Sequence, residues 1–460
     1  MVSKILQQAF GSQLRRNMSS GVAAMGVNFI LLAVSYPIYL YFVGYEKYDI
    51  WLVLTAVLGF AQLGMLGINH AVVKLVAEEY AKNNIRGVQS YLMMALAMLM
   101  CTGTIALLVI LFFKSQIIAA FRLSGENAEL VSWLLPYIGV LTIYVFLVQT
   151  LNATLSGLGR MDLSNYILIA GRVTAVCTAV LLLWRRGLGI ESLLIGNAFS
   201  YIVVHILSLV FIHQQAKMRF LRPYNWSWSH LKGLLSFGSG IFGGSLLQIL
   251  LDPFNKMMLS RYGQVGAITV YDIAFKGSMQ VRSLAEAALR AIMPEISRLG
   301  ANMTAEAKRR INSINRRALK LAVFAVLPLY GGLFVVAGVL LRFWLGQRFV
   351  DTLPYALRVM LVASYISLLG VPAFYTLMGL GRVRHCFISI GVQSFLNATI
   401  MVGYAVFAPS MISSRVFLAV AVGMSGATAY LTWQLKRDSH IASKRCFLDS
   451  VARPGAEPRQ

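Results

Sequence analysis

The sequence predicts an all-α membrane protein of twelve transmembrane helices, in two six-helix lobes related by a pseudo-two-fold axis along the membrane normal. Three observations lead there. Of 460 residues, 58% are hydrophobic and only 13% are charged, roughly half the charged share of a soluble domain. The mean hydropathy is +0.69, and a soluble chain of this length has too little interior to hide that much apolar surface. Apolar windows of about 20 residues, the length that crosses a bilayer core, recur along the whole chain.

Taken in order, the windows fall near 18–43, 50–76, 90–113, 131–156, 164–184 and 189–212, then 236–259, 266–293, 320–345, 352–378, 385–408 and 412–434. This divides the chain into a cytoplasmic N-terminal segment (1–17), a first lobe (18–212), a cytoplasmic inter-lobe linker (213–235), a second lobe (236–434) and a polar cytoplasmic tail (435–460). The other long connection is the basic stretch 294–319. The leading sequence MVSKILQQAFGSQLRRN has no apolar signal-peptide core, so no cleaved signal is expected. Val2, Ile5, Leu6 and Phe10 fit either a short amphipathic turn on the cytoplasmic surface or an ordinary leading segment. From Lys436 onward the tail is polar and expected to be disordered near its end.

The formal net charge of +24 comes from 41 Lys and Arg against 17 Asp and Glu. In a soluble protein that excess would suggest nucleic acid. Here the basic residues sit between apolar windows, and with the N-terminus inside, roughly 25 fall in connections on that side against roughly 9 opposite. The prediction is a multi-pass protein of the bacterial inner membrane with both termini cytoplasmic. Cys101, Cys177, Cys386 and Cys446 show no paired spacing, so neither a disulfide framework nor a zinc site is indicated. A phosphate-binding Gly-rich loop, metal-ligand spacing and a large outer catalytic loop are all missing. No enzyme and no cofactor is expected.

The two halves echo one another. Gly157-Leu158-Gly159-Arg160 follows the fourth window and Gly379-Leu380-Gly381-Arg382 the tenth. Leu134-Leu135-Pro136-Tyr137 opens the fourth, where Thr352-Leu353-Pro354-Tyr355 opens the tenth. Six spans separate equivalent points, so the halves share one orientation and the repeat is parallel. Gly238, Gly240, Gly243 and Gly244 suit close helix packing or bending.

Chemistry is expected where ionisable residues interrupt the apolar windows, because such groups are costly at membrane depth and normally face an interior or a wet cavity. On the eighth window Asp272, Lys276, Glu286 and Arg290 lie within about 40° of one helical meridian, with Met279 and Ser283 between them and Arg282 on the flank. The seventh carries Gln248, Asp252, Asn255 and Lys256 beside the helix-perturbing Pro253. The first lobe offers Arg172, with Lys74, His205 and Tyr201, and the tenth window adds Arg358. Each has a bland alternative. Asp272–Lys276 and Glu286–Arg290 also fit self-neutralising pairs; Arg290, Lys74 and Arg358 fit snorkelling to headgroups; His205 fits a packing role. Arg172 has no carboxylate one turn away. Bases outnumber acids in the set, and a cleft of one sign concentrates the opposite one. The expected ligand therefore bears phosphate, pyrophosphate or carboxylate.

These residues carry a family resemblance. The hairpin around Leu251-Asp252-Pro253-Phe254-Asn255-Lys256 and Gly266-Ala267-Ile268-Thr269-Val270-Tyr271-Asp272-Ile273-Ala274, the run Ala291-Ile292-Met293-Pro294-Glu295 and the two Gly-Leu-Gly-Arg turns resemble Wzx-type oligosaccharide flippases of the MOP exporter superfamily over about 18–434. The resemblance implies a MATE-like fold. It also implies ion-gradient-coupled alternating access that carries an anionic, polyprenyl-pyrophosphate-linked oligosaccharide to the outer leaflet for O-antigen, capsule or exopolysaccharide synthesis. Its expected partners are membrane lipids and the polymerase and chain-length proteins of such a pathway. On that reading Arg172, Lys256, Lys276, Arg282 and Arg290 contact substrate, while Asp252, Asp272 and Glu286 couple ions or hold the bases. Three alternatives stay open: a multidrug exporter of the same superfamily, a peptidoglycan-precursor flippase, and a non-transporting partner of a polymerase. The first normally has an acidic residue in the first span, and Met18 to Val43 has none. The second commonly has fourteen spans. The third predicts that neutralising the stripe changes nothing.

Overall fold

A computed structural model describes the backbone of residues 12–65, 67–217, 228–289, 304–324 and 326–452, with Ile296 and Leu299. Side chains of 237–245, 287–288, 438–452 and a few isolated positions lie outside the description. Every described regular element is a helix, and no strand occurs among the described residues. The first window and the start of the second form α1 (Ser12–Ala61), which holds Pro37 and breaks at Gly44, where φ is 78°. A 3-10 turn (Gln62–Met65) and Gly67, again with positive φ, interrupt the second span before α2 (Ile68–Ala81).

The next elements are α3 (Ile85–Phe112), the short α4 (Lys114–Ala120), α5 (Gly125–Gly157), α6 (Met161–Arg186), α7 (Glu191–Ala216) and α8 (Trp228–Tyr262). Then come α9 (Ala267–Leu289), α10 (Ala305–Phe324), α11 (Leu327–Leu345), α12 (Thr352–Leu369), α13 (Val371–Gly379), α14 (Val383–Phe407) and α15 (Ile412–Ala452).

Nine stretches among the described residues are long and apolar enough to cross a membrane. The first of these, Ser19–Met65, runs through the Gly44 break and into the second window. With the charged α8 and α9, of 35 and 23 residues, the twelve expected windows all fall on helices. At 1.5 Å per residue α9 reaches about 34 Å, enough for a hydrocarbon core of about 30 Å.

Two segments read as connection or tail contain helix. The basic stretch after 294 becomes helical at Ala305, because Ala307, Ile311, Ala318 and Ala322 form one buried stripe. Ala318 and Ala322 join a core with Leu289, Tyr330, Leu361 and Leu368, while Arg309, Arg310, Arg316, Arg317 and Lys320 stay exposed. In the tail, α15 continues to Ala452.

The chain forms two compact units. The first holds residues 1–270 with the connectors 344–349 and 409–413; the second holds 271–343, 350–408 and 414–460. In the first, α6 and α7 share the most extensive helix contact. Gly171 and Gly196 permit it: a Cβ on Gly196 would lie 2.6 Å from the Ala175 carbonyl oxygen. The seventh window, α8, packs on α1, α2 and α3 within this unit.

The connectors are tied down inside the first unit. Trp344 Nε1 donates to the Ala33 carbonyl (2.6 Å), Tyr45 Oη to that of Arg348 (2.8 Å), and the Gln264 amide to Ser413 Oγ (2.8 Å). The root of α9 is capped by Asp49, whose buried carboxylate accepts from the amides of Gly266 and Thr269 (both 2.7 Å) and from Thr269 Oγ1 (2.5 Å).

The two Gly-Leu-Gly-Arg turns have the same backbone. Gly159 and Gly381 have φ of 78° and 74°, and in each turn the Gly and Arg amides bond back to carbonyls three and five residues earlier. That closes a helix end through a left-handed glycine.

A carboxamide-rich cavity in the first unit

A cavity of about 780 Å³ opens within the first unit. The break in the second span builds one wall. Ending α1 at Ala61 and restarting at Ile68 turns Gln62, Met65, Asn69 and His70 toward the opening. From α5 come Gln149, Asn152 and Ser156, on one helical face. Ser164 and Arg172 of α6 and Asn197, Ser200 and Tyr201 of α7 complete the polar lining. No Asp or Glu among the described residues lines the cavity.

Part of this polar surface is already engaged. Asn69 Nδ2 donates to Gln149 Oε1 (3.4 Å) and Thr150 Oγ1 to Asn69 Oδ1 (3.1 Å). Asn152 Oδ1 accepts from Ser164 Oγ (3.3 Å) and its Nδ2 donates to the Val148 carbonyl (3.2 Å). Asn197 Nδ2 donates to the Leu193 carbonyl (2.8 Å). Arg172 donates through Nη1 to Asn28 Oδ1 of α1. No carboxylate among the described residues pairs with Arg172, and most of its five donors remain open.

Of the seven described residues among the eight singled out in sequence, only Arg172 lines this cavity. Six others form ion pairs. In the first unit Lys256 Nζ lies 2.8 Å from Asp252 Oδ2, the Lys side chain 4% exposed and the Asp 38%. In the second, Lys276 Nζ lies 2.8 Å from Asp272 Oδ2, with the burial reversed: Asp 1%, Lys 42%. Glu286 is 3.5 Å from Arg282 Nη2 and accepts from Tyr375 Oη at 2.8 Å. Its ion partner here is the flanking Arg282; Arg290 lies outside the described residues. So do the surroundings of Gly238, Gly240, Gly243 and Gly244 and the run 291–295.

Among the supporting residues, Lys74 pairs with Glu78 (3.6 Å). Arg358 donates to the Phe334 carbonyl (3.0 Å) and lies over its ring. His205 stacks on Tyr144 with ring centroids 5.4 Å apart, and its buried Nδ1 has no hydrogen-bond partner among the described residues.

Sequence reasoning missed the carboxamides and Asp49. A faint signal existed: Gln149, Asn152 and Ser156, like Asn197, Ser200 and Tyr201, are uncharged polar residues at helical spacing inside apolar windows.

A polytopic helical bundle with a polar cavity among its apolar spans has the architecture of a membrane transporter. The chain belongs to the polysaccharide biosynthesis protein family, whose model matches residues 43–354. A Shigella flexneri protein provisionally named an O-antigen transporter is 18% identical over 387 residues, covering 83% of this chain and 87% of that one. The fold is similar to that of an inward-facing multidrug-resistance MATE family transporter of the MOP superfamily, with TM-score 0.71, 14% identity and 95% and 96% of the two chains covered. It is similar also to the lipid II flippase MurJ, with TM-score 0.69, 15% identity and 95% and 94% covered. The twelve-window, all-helical reading thus falls on a MATE-like fold, and these two solved relatives are a transporter and a flippase.

Proposed function

We propose that this transporter carries a polyprenyl-pyrophosphate-linked oligosaccharide across the bacterial inner membrane, from the cytoplasmic to the outer leaflet, by alternating access. The observation that carries the reading is the lining of the first-unit cavity, where an arginine without a carboxylate partner stands among carboxamides and hydroxyls. An anionic, hydroxyl-rich headgroup matches that set, and a site for organic cations would need carboxylates, which the described lining lacks. Membership in a polysaccharide biosynthesis family supports the same substrate class.

In this reading Arg172 contacts phosphate or an acidic sugar. The pairs Asp252–Lys256, Asp272–Lys276 and Arg282–Glu286, with Arg290, form the exchangeable charge system. A proton or cation taken up by a carboxylate weakens its ion pair, which links transport to an ion gradient. On this reading both termini are cytoplasmic, which the excess of basic residues in the connections on that side supports, and polymerase and chain-length proteins act on the delivered product.

The test is complementation of a strain lacking the gene. Arg172→Gln should lower surface glycan about tenfold or more at unchanged membrane level, and Arg172→Lys should restore part of it. Full export by Arg172→Gln would remove Arg172 from the site. Normal glycan in the deletion strain, with altered tolerance to cationic drugs, would contradict the proposal.

A further inference from the structure

The cavity holds more hydrogen-bonding capacity than its internal bonds use. Among the described residues Gln149 Oε1 accepts from Asn69, while its Nε2 has no acceptor. Asn197 donates through Nδ2, while its Oδ1 accepts nothing. The Tyr201 hydroxyl makes no hydrogen bond among the described residues, and Tyr201 lines the same cavity as Arg172. These open groups alternate between donor, acceptor and both. Sugar hydroxyls are themselves both donor and acceptor, and a side-chain amide meets two neighbouring hydroxyls with one N–H and one C=O. Burying such groups against an apolar ligand would leave them unpaired at a cost of about 1–3 kcal/mol each. At about 780 Å³ the space lies in the range of pockets that enclose a small molecule of drug size, about 300–1,000 Å³. It admits a few sugar rings and not a long chain.

Resting on the proposed function, we infer that the cavity is a divided subsite: Gln149, Asn197 and Tyr201 read the hydroxyls of a short glycan, and Arg172 alone takes the anionic group beside them. The two roles lie on different residues, so they separate by mutation. Glycan recognition belongs to the carboxamides, and charge recognition belongs to the guanidinium.

The experiment uses the purified full-length chain in lipid nanodiscs, with tryptophan fluorescence or the melting temperature as the readout. The probes are inorganic pyrophosphate, a panel of neutral trisaccharides, and the oligosaccharide released by mild acid from any lipid carrier that accumulates in the deletion strain. Gln149→Met and Asn197→Ser, each first matched to the parent in ligand-free melting, should bind sugar about tenfold more weakly and pyrophosphate unchanged. Arg172→Gln should do the reverse. If no sugar binds the parent protein, or if Gln149→Met and Asn197→Ser bind sugar as the parent does, the subsite is overturned. Trapping of a lipid-linked oligosaccharide on the cytoplasmic face of the deletion strain, with rescue by the gene, reads the underlying function independently. Trapping and rescue without sugar binding would sink only the subsite, and sugar binding without trapping would sink only the flippase.

Discussion

The cavity of the first unit and the charged face of α9 in the second use polar side chains in opposite ways. On α9, Asp272 meets Lys276 at 2.8 Å and Glu286 meets Arg282 at 3.5 Å, so charge is spent on charge. In the cavity, carboxamides and hydroxyls are only partly engaged, and the one arginine bonds an asparagine, not an acid. Charge density along a membrane sequence marks where a buried group demands compensation. Capacity left over for a ligand lies in uncharged residues.

The largest effect that sharpens this contrast concerns the frame of the cavity. Gly196→Ala places a methyl 2.6 Å from the Ala175 carbonyl oxygen and 3.1 Å from Ala179 Cβ, forcing α6 and α7 apart. It should destabilise by about 2–3 kcal/mol and lower membrane levels. Gly26→Ala, with nothing within 4 Å, should be neutral or slightly stabilising. Equal melting of the two variants would remove the tight α6–α7 contact from the account.

Next come the ion pairs, which should respond as mirror images because the buried partner differs. Lys276→Gln removes the ammonium 2.8 Å from the buried Asp272 carboxylate and should destabilise by about 1–3 kcal/mol. Asp272→Asn, and Asp272→Asn with Lys276→Gln, should be milder. On α8, where Lys256 is the buried member, Asp252→Asn should be the harsher change and Lys256→Gln the milder. Detergent unfolding curves check both series, and identical ranking in the two pairs would break the comparison.

The smallest effect belongs to the cap at Asp49. Asp49→Ala removes three accepted hydrogen bonds at the root of α9 and should cost about 1–2 kcal/mol. Asp49→Asn should recover part of that. Faster amide exchange of Gly266 and Thr269 in Asp49→Ala checks it.

Much of the fold is legible in the sequence because a bilayer imposes one rule, that apolar runs of fixed length become helices. The windows map to helices on that basis, and the Gly-Leu-Gly-Arg turns mark helix ends because only glycine takes a left-handed cap cheaply. The split of the second span at 62–67 was hidden, since Gln-Leu-Gly-Met-Leu-Gly is apolar enough to pass for continuous helix. The helical α10 was hidden by its basic face. At the site, Arg172 stood out because a lone cation in an apolar span is conspicuous. Gln149 and Asn197 did not, because an uncharged amide perturbs hydropathy little and its role depends on neighbours far away in the chain. Asp49 escaped for the related reason that its partners, Gly266 and Thr269, lie more than two hundred residues on.

The most direct test of the central claim is the leaflet distribution of lipid-linked glycan in cells with and without the gene. The account predicts that loss of the gene traps a lipid-linked oligosaccharide on the cytoplasmic face, that the parent protein releases it, and that Arg172→Gln at equal membrane level does not. A lipid-linked oligosaccharide that reaches the outer leaflet equally well without the gene would contradict it.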